Sequence, residues 1–245
     1  ADELESEYEI LSQTGGVPLD GIRTGIKKLD NLVGPMTPGM LVIGAAASGE
    51  GKSFFATNLA YWAAVHEHKN VILFTAETSR QQYRRRLIVR HSNDLKFPTP
   101  ISATRYKQGD FSPEEKDSFN LIIQDLKNSD YGKIDLVQVD NSTTLQTIMT
   151  YAEKQALLWP VDMIIIDYLS LIAPIQKRAN PQQEESDKFK DAKRLATTFN
   201  KGKGVVLVTL HQLSFQAREK VKWAPGKMYS MRDVASTSEA AKSAD

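Results

Sequence analysis

The residues with the clearest chemical potential form a short loop that ends in Gly51-Lys52-Ser53. An apolar stretch from Met40 to Gly44 precedes the loop and predicts a strand, while Phe54 to Ala64 follows it with a helical pattern. Small residues in between allow successive backbone N–H groups to point inward and attract an anion. Because the positive end of the following helix adds to this attraction, the spacing predicts a phosphate-binding loop.

This loop predicts a site for a nucleoside triphosphate with Mg²⁺. Lys52 is placed to reach the β- and γ-phosphates, and the Ser53 hydroxyl is placed to bind the metal ion. Ala46 stands where the first glycine of such loops usually lies. A plain strand–turn–helix that happens to contain Gly-Lys-Ser is the alternative, which the flanking strand and helix disfavour. The predicted nucleotide contacts are Ala46, Ala47, Ser48, Gly49, Glu50, Gly51, Lys52, Ser53 and Phe54.

Carboxylates follow two later buried strands. Glu77 comes after NVILFT, and Asp167 closes the apolar run MIII. At the carboxyl edge of a parallel sheet, Glu77 could orient and deprotonate a water that attacks the γ-phosphate. A helix-start acid that only complements the helix dipole is an equal alternative on position alone. Asp167 is the expected partner of Ser53 for Mg²⁺, directly or through water, and a turn-capping aspartate is the alternative.

A further strand pattern, VVLVT, ends next to His211 and Gln212. We expect both side chains at the same sheet edge as Glu77 and Asp167. An amide such as that of Gln212 could sense the γ-phosphate and pass its presence to the adjoining loop. His211 is a poor metal ligand candidate because no cysteine or second histidine lies nearby in the sequence.

Two basic segments could contact nucleic acid. The arginines of the helix predicted over Arg80–His91 fit a solvated face or a subunit contact better than a nucleic-acid patch. Phe215 to Lys227 mixes basic and aromatic residues, as nucleic-acid loops do, and a solvated loop is the alternative at even odds. The polar stretch from Lys177 to Lys190 supplies two further basic residues. The candidate contacts are Lys177, Arg178, Arg218, Lys220 and Lys222.

The composition is that of an ordinary globular protein. The 245 residues are 41% hydrophobic and 25% charged, which suits one α/β domain with a sizeable core better than two small domains. A net charge of +1 gives no global basic field, so nucleic-acid contacts must come from local loops. Without cysteine the chain has no disulfides, thiolate metal sites or cysteine nucleophiles. Neither a signal peptide nor a membrane span is evident, so we expect a soluble, intracellular protein.

Strand patterns alternate with helical ones, which predicts a mostly parallel, twisted α/β sheet with helices on both faces. Residues 1–19 are expected to be a linker segment and residues 20–245 one domain. Residues 93–113 are expected to be irregular, and 177–190 to form a mobile loop. The predicted helices are Ile22–Val33, Phe54–Ala64, Arg80–His91, Glu115–Asn128, Leu145–Trp159 and Phe189–Phe199, and the predicted strands are Met40–Gly44, Asn70–Thr75, Ile134–Val139, Met163–Ile166 and Val205–Thr209.

Several of these motifs, in this order, resemble the RecA-type motor domain of DnaB-family replicative helicases. GAAASGEGKS resembles the family's P-loop, LFTAETSRQQYRRRL its strand–glutamate–helix segment, IIIDYLSLI its aspartate strand and VVLVTLHQL its sensor strand. Thr24-Gly25, Leu29-Asp30 and Pro38-Gly39 resemble the lead-in to that P-loop. The resemblance covers residues 20–215 well, and the pair IIIDYLSL and FTAE makes it more specific than a lone P-loop.

The resemblance implies a RecA-like P-loop NTPase that couples hydrolysis of ATP, with Mg²⁺, to movement along single-stranded DNA in replication. By position, the resemblance implies that Lys52 and Ser53 bind the phosphates and the metal ion. Glu77 is the implied catalytic carboxylate, Asp167 the metal aspartate and Gln212 the γ-phosphate sensor. Arg232 loosely resembles the start of the family's DNA-backbone loop. Further implied features are a homohexamer with ATP at subunit interfaces, a primase or helicase loader as partner, and a bacterial, phage or plasmid replication context in the cytoplasm.

The chain departs from the family pattern in three places. Ala47-Ser48 replaces a common Arg-Pro pair, which alters loop packing without removing a phosphate ligand. The 245 residues contain no counterpart of the family's N-terminal helical domain. The chain stops at Asp245, where the family continues into strands that carry an arginine finger worth about 10³–10⁵ in rate in comparable hydrolases. We therefore expect a truncated motor that binds nucleotide better than it hydrolyses it.

Two other functions stay open on the sequence alone. One is a RecA/KaiC-like ATPase in recombination or regulation without unwinding, which the near-neutral charge favours slightly. The other is a nucleotide-binding scaffold that docks partners without turnover. The DYLSL-type segment favours the helicase interpretation.

Overall fold

A computed structural model describes residues 21–213 and 242–244, together with Glu5, Tyr8, Glu9 and Ser12. The predicted boundary between linker and domain lies outside the described residues. So do four of the candidate nucleic-acid contacts, Arg218, Lys220, Lys222 and Arg232.

Helices and strands alternate through the described part of the chain. The helices are α1 (Lys27–Val33), α2 (Lys52–Val65), α3 (Arg80–His91), α4 (Ala103–Gln108), α5 (Pro113–Asn128), α6 (Leu145–Ala156) and α7 (Pro181–Gly202), with a 3₁₀ turn at Leu169–Leu171. The strands are β1 (Leu41–Ala46), β2 (Val71–Thr75), β3 (Ile134–Gln138), β4 (Met163–Asp167) and β5 (Val206–Gln212).

The strands form one sheet in the order β1-β5-β4-β2-β3, and every pair is parallel. Alternate residues of β2 face opposite sides: Ile72 and Phe74 pack with α6 and α7, while Val71 and Leu73 pack with α2 and α3. Because both faces are covered, the strands β2 and β4 are buried throughout and apolar up to their last residues, Thr75 and Asp167. This confirms the predicted parallel sheet with helices on both faces. In the described residues no helix is long and apolar enough to cross a membrane.

Capping chemistry sets several helix ends. The helix predicted over Arg80–His91 has the same bounds in the structure, because the side chains of Ser79 and Gln82 cap each other's backbone N–H groups. The helix predicted from Ile22 begins only at Lys27. Ile22 instead exchanges backbone hydrogen bonds with Met36, which holds this residue in an extended bridge.

Two predicted loops were wrong in part. Residues 181–190 belong to α7 and not to a mobile loop, because the Asn180 side chain caps the backbone N–H of Gln182 and Pro181 opens the first turn. Residues 93–113 contain α4, which Ser102 caps through the Arg105 N–H. In both places the strongly polar composition concealed a helix start.

Candidate functional site

Four strand ends meet at the carboxyl edge of the sheet. Ala46, at the end of β1, pairs with Gln212 of β5, and Thr75, at the end of β2, pairs with Asp167 of β4. Since β1, β5, β4 and β2 are consecutive neighbours, the segments that follow them share one edge. The structure therefore brings together all four polar segments that the sequence singled out.

The loop between β1 and α2 has the conformation that an anion site needs. Gly49 and Gly51 have φ values of 79° and 91°, in the left-handed region that favours glycine. The Glu50 carboxylate accepts a hydrogen bond from the Ala47 N–H at 3.1 Å, which closes the loop on itself. Lys52 Nζ donates to the carbonyl oxygens of Ala46 and Ala47, at 3.3 and 3.1 Å. Lys52 therefore lies across the loop, at the start of α2.

A basic groove of about 390 Å³ lies between the first turns of α2 and the helices α3 and α4. Phe54, which is 61% exposed, lines it together with Arg85, Arg86, Arg90 and Lys107, and none of the described residues in the lining is acidic. The Arg86 guanidinium lies 5.1 Å from the centre of the Phe54 ring, and its buried Nη1 has no hydrogen-bond partner among the described residues. The groove therefore suits an anionic ligand that contacts Phe54.

Asp167 and Ser53 form a site that fits a divalent cation. Asp167 is 1% exposed, and its buried Oδ1 has no hydrogen-bond partner in the described part of the chain. Its Oδ2 accepts a hydrogen bond from the Tyr83 hydroxyl, and the Ser53 side chain lies beside the same hydroxyl. Burial, followed by the charge of Asp167, raises the pKa of Tyr83, so this hydroxyl stays protonated. A buried carboxylate oxygen with no partner is costly unless a cation or its water occupies the site.

The site depends on few protein ligands. Within the described ranges, no group of three or more His, Asp or Glu side chains could hold a metal ion by itself. Mg²⁺ commonly binds one or two protein oxygens together with phosphates and water, which matches a Ser–Asp pair beside a phosphate loop.

Glu77 lies two residues beyond β2 on a braced turn. The Thr75 hydroxyl donates to the Thr78 carbonyl at 2.7 Å and accepts from the Thr78 N–H at 3.1 Å. The Ala76 N–H donates to the Asp167 carbonyl at 3.1 Å. The Glu77 side chain itself is exposed. Glu77 lies three residues before Arg80, the first residue of α3, and therefore outside the first turn, where an acid complements the helix dipole.

Gln212 ends β5 with an exposed side chain, while the neighbouring His211 is buried. The Leu213 N–H donates to the Ala46 carbonyl at 3.1 Å, so the segment after Gln212 is attached to the start of the phosphate loop.

The sequence matches the family model of the DnaB-like helicase C terminal domain over residues 21–242. This chain belongs to that family.

Curated relatives of this DnaB-like domain are replicative helicases. The replicative DNA helicase DnaB of Geobacillus stearothermophilus is 28% identical over 205 residues, which cover 82% of this chain and 41% of the relative. A probable plasmid replicative DNA helicase of Chlamydia psittaci is 26% identical over 218 residues, which cover 89% of this chain and 44% of the relative. The chain thus spans less than half the length of these relatives.

Solved structures share the fold of this DnaB-like domain. One solved ATPase domain matches all of this chain and 80% of its own length, with a TM-score of 0.80 and 23% identity. A DnaB-like replicative helicase described with its interactions with primase matches all of this chain and 54% of its own length, with a TM-score of 0.80 and 22% identity.

The arginine-rich helix α3 of this DnaB-like domain is more than a solvated face. Arg86 packs over Phe54, while Arg90 lies 4.5 Å from the centre of the Tyr61 ring and donates to Asn58 Oδ1 at 2.8 Å. Sequence reasoning missed these contacts, and it missed the buried Tyr83 on the same helix. The available signal was the i, i+4 pair of Tyr83 and Leu87, which marks a buried stripe within the arginines.

Two candidate nucleic-acid contacts of this DnaB-like domain are described. Lys177 and Arg178 are exposed and precede α7. Arg178 Nε donates to Asp187 Oδ2 at 2.9 Å, and its backbone N–H donates to Glu184 Oε2. The Arg178 guanidinium would have to leave this ion pair to contact a phosphate, so Lys177 is the more accessible of the two cations.

A buried polar cluster lies beside Gln212. His211 Nδ1 is 3.8 Å from Glu185 Oε1 and 3.5 Å from Ser170 Oγ, which donates to Glu185 Oε1 at 2.6 Å. Lys188 Nζ lies 3.5 Å from Glu185 Oε2. Burial, together with the charge of Lys52, lowers the pKa of His211, although Glu185 opposes the change. The imidazole is therefore held in its neutral form.

Stability should fall in acid because of this histidine. The folded protein takes up the His211 proton less readily than the unfolded chain does, so the free energy of unfolding should decrease below about pH 6.5, by at most about 1.4 kcal/mol per pH unit. Burial also lowers the pKa of His91, although the hydrogen bond to Asp125 opposes this change. His91 therefore adds to the loss of stability in acid. His211→Asn should reduce the decrease in the free energy of unfolding between about pH 7 and about pH 5, as measured by urea unfolding. An equal loss in both proteins would contradict this.

Proposed function

We propose that this chain is the ATP-hydrolysing motor domain of a replicative DNA helicase, which couples turnover to movement along single-stranded DNA. The observation that carries the proposal is the meeting of the phosphate loop, the Glu77 turn, Asp167 and Gln212 at one sheet edge. Membership of the DnaB-like helicase C-terminal family supports the choice of a motor over other nucleotide-binding domains.

In the proposed reaction the phosphate loop binds the triphosphate through its backbone N–H groups. Lys52 exchanges the Ala46 and Ala47 carbonyls for the β- and γ-phosphates. Ser53 and Asp167 would hold Mg²⁺, which neutralises charge on the phosphates. The basic groove beside Phe54 would take the rest of the nucleotide.

Glu77 acts as the general base in this proposal. Its turn is fixed by the Thr75 hydroxyl and by the Ala76 bond to β4, while its carboxylate remains open to solvent. It can therefore accept the proton of the attacking water without a change in the backbone. Gln212 contacts the γ-phosphate and, through Leu213, reports its loss to the following segment.

Single-stranded DNA is the proposed polymer partner, with Lys177 as the described candidate contact and Arg178 engaged after release from Asp187. The proposed assembly is a homohexamer with ATP between subunits. A primase is the proposed protein partner, because one structural neighbour is a DnaB-like replicative helicase that interacts with primase. The proposed context is DNA replication in the cytoplasm.

The test is ATP hydrolysis by this chain with and without a single-stranded oligodeoxynucleotide, followed by strand displacement on a forked duplex. Stimulated hydrolysis with displacement is the expected result. Stimulation without displacement would favour a RecA/KaiC-like ATPase. Tight ATP binding without any turnover would overturn the motor proposal in favour of a binding scaffold.

A further inference from the structure

One buried hydroxyl lies beside both side chains proposed to hold Mg²⁺. Tyr83 on α3 is 0% exposed, and its phenol hydrogen-bonds Asp167 at the end of β4. The Ser53 side chain, at the start of α2, lies next to the same hydroxyl. No motif in the sequence assigns a role to this tyrosine.

The direction of the hydrogen bond follows from the groups involved. The single Tyr83 proton is donated to Asp167 Oδ2. The Tyr83 hydroxyl therefore has no proton left to donate to the neighbouring Ser53.

This direction leaves free the atoms that a cation needs. Ser53 accepts no proton from Tyr83, so the lone pairs of its hydroxyl oxygen can face a metal ion. Asp167 has Oδ2 committed to Tyr83, and its buried Oδ1 has no partner among the described residues. The ring of Tyr83 is fixed as well, because it packs in the apolar cluster under α2 and α3 and the Arg86 guanidinium lies 5.5 Å from its centre.

We infer that Tyr83 is a positioning residue for Mg²⁺, which holds Oδ2 of the Asp167 carboxylate so that Oδ1 faces the ion beside Ser53. The inference rests on the proposed nucleotide site. Partners that orient metal ligands typically contribute about 10–100-fold to metal affinity or activity.

The test compares wild type with Tyr83→Phe, which removes one oxygen and keeps the ring. Binding of the ATP analogue AMP-PNP is measured first in EDTA and then during titration with Mg²⁺. We expect unchanged affinity in EDTA and roughly a tenfold or greater rise in the Mg²⁺ concentration at half-saturation. In an Asp167→Asn background, Tyr83→Phe should have much less effect, because the group that it orients no longer binds the ion in the same way.

Tyr61→Phe is the matched control. Tyr61 is also a buried tyrosine, 2% exposed, and its hydroxyl makes a 2.8 Å hydrogen bond to His91 Nδ1 away from the sheet edge. This variant should lose stability without a shift in Mg²⁺ dependence. An unshifted Mg²⁺ titration for Tyr83→Phe, or a loss of AMP-PNP binding in EDTA as well, would overturn the inference. Failure of wild type to bind AMP-PNP with Mg²⁺ would instead overturn the proposed function.

Discussion

Glu77→Gln should lower ATP turnover by about 10²–10⁴-fold while ATP binding stays close to that of wild type. The amide keeps the size of the side chain but cannot accept the proton of the attacking water. The turn that carries residue 77 is held by Thr75, Thr78 and the backbone of Asp167, so the substitution should not move it. Single-turnover hydrolysis and equilibrium binding of ATP, measured on the same preparations, separate the two effects.

Glu114→Gln provides the control for Glu77. Glu114 is an exposed acid in the first turn of α5, where it complements a helix start and has no place in the proposed reaction. Its replacement should leave turnover unchanged. If Glu77→Gln behaved in the same way, Glu77 would also be a plain surface acid and the proposed general base would have to be sought elsewhere.

Lys52→Ala should weaken ATP binding by about 30-fold or more, which corresponds to the loss of about 2 kcal/mol or more for one partner of a buried charge pair. Lys52 is the first residue of α2, and its ammonium group already lies over the phosphate loop. The ammonium group donates to two carbonyl oxygens, so a phosphate can replace them with a gain in charge neutralisation. Calorimetric titration with ATP and Mg²⁺ measures the change.

Lys27→Ala is matched to Lys52→Ala because Lys27 is also the first residue of a helix, α1, and is exposed. We expect ATP binding by this variant to equal that of wild type. Melting without nucleotide should be similar for both variants, since neither lysine is part of the core. Equal ATP affinity for Lys52→Ala and wild type would rule out the phosphate loop as the binding site.

The sequence predicted the elements of this fold where local chemistry is decisive. The apolar run Met163–Ile166 predicted a buried strand, which the structure contains, and the helix predicted over Arg80–His91 has these bounds in the structure. The strand order was not accessible, because pairing of β1 with β5 depends on contacts between distant parts of the chain. The start of α7 was missed because Asn180 and Pro181 occur within a polar run that also suits a loop.

The candidate site was predictable to a similar extent. Lys52, Ser53, Glu77 and Asp167 were identified by their positions after strands, which the sheet edge brings together. The burial of Tyr83 could have been predicted from its i, i+4 spacing to Leu87, but its bond to Asp167 could not, because the two residues are far apart in the sequence. The bonds of Lys52 to the loop carbonyls also follow from three-dimensional geometry alone.

The position of β1 in the sheet has a consequence for how the protein forms. Leu41 of β1 pairs with Leu207 of β5, so the strand that leads into the phosphate loop meets its neighbour only when the last described strand has been made. Such long-range parallel pairing is slow, because a large loop must close before the contact is gained. During synthesis, β1 and the phosphate loop that follows it therefore lack the neighbouring strand β5 until late. Bound ATP should accordingly slow the unfolding of the finished domain and leave the early steps of folding unchanged.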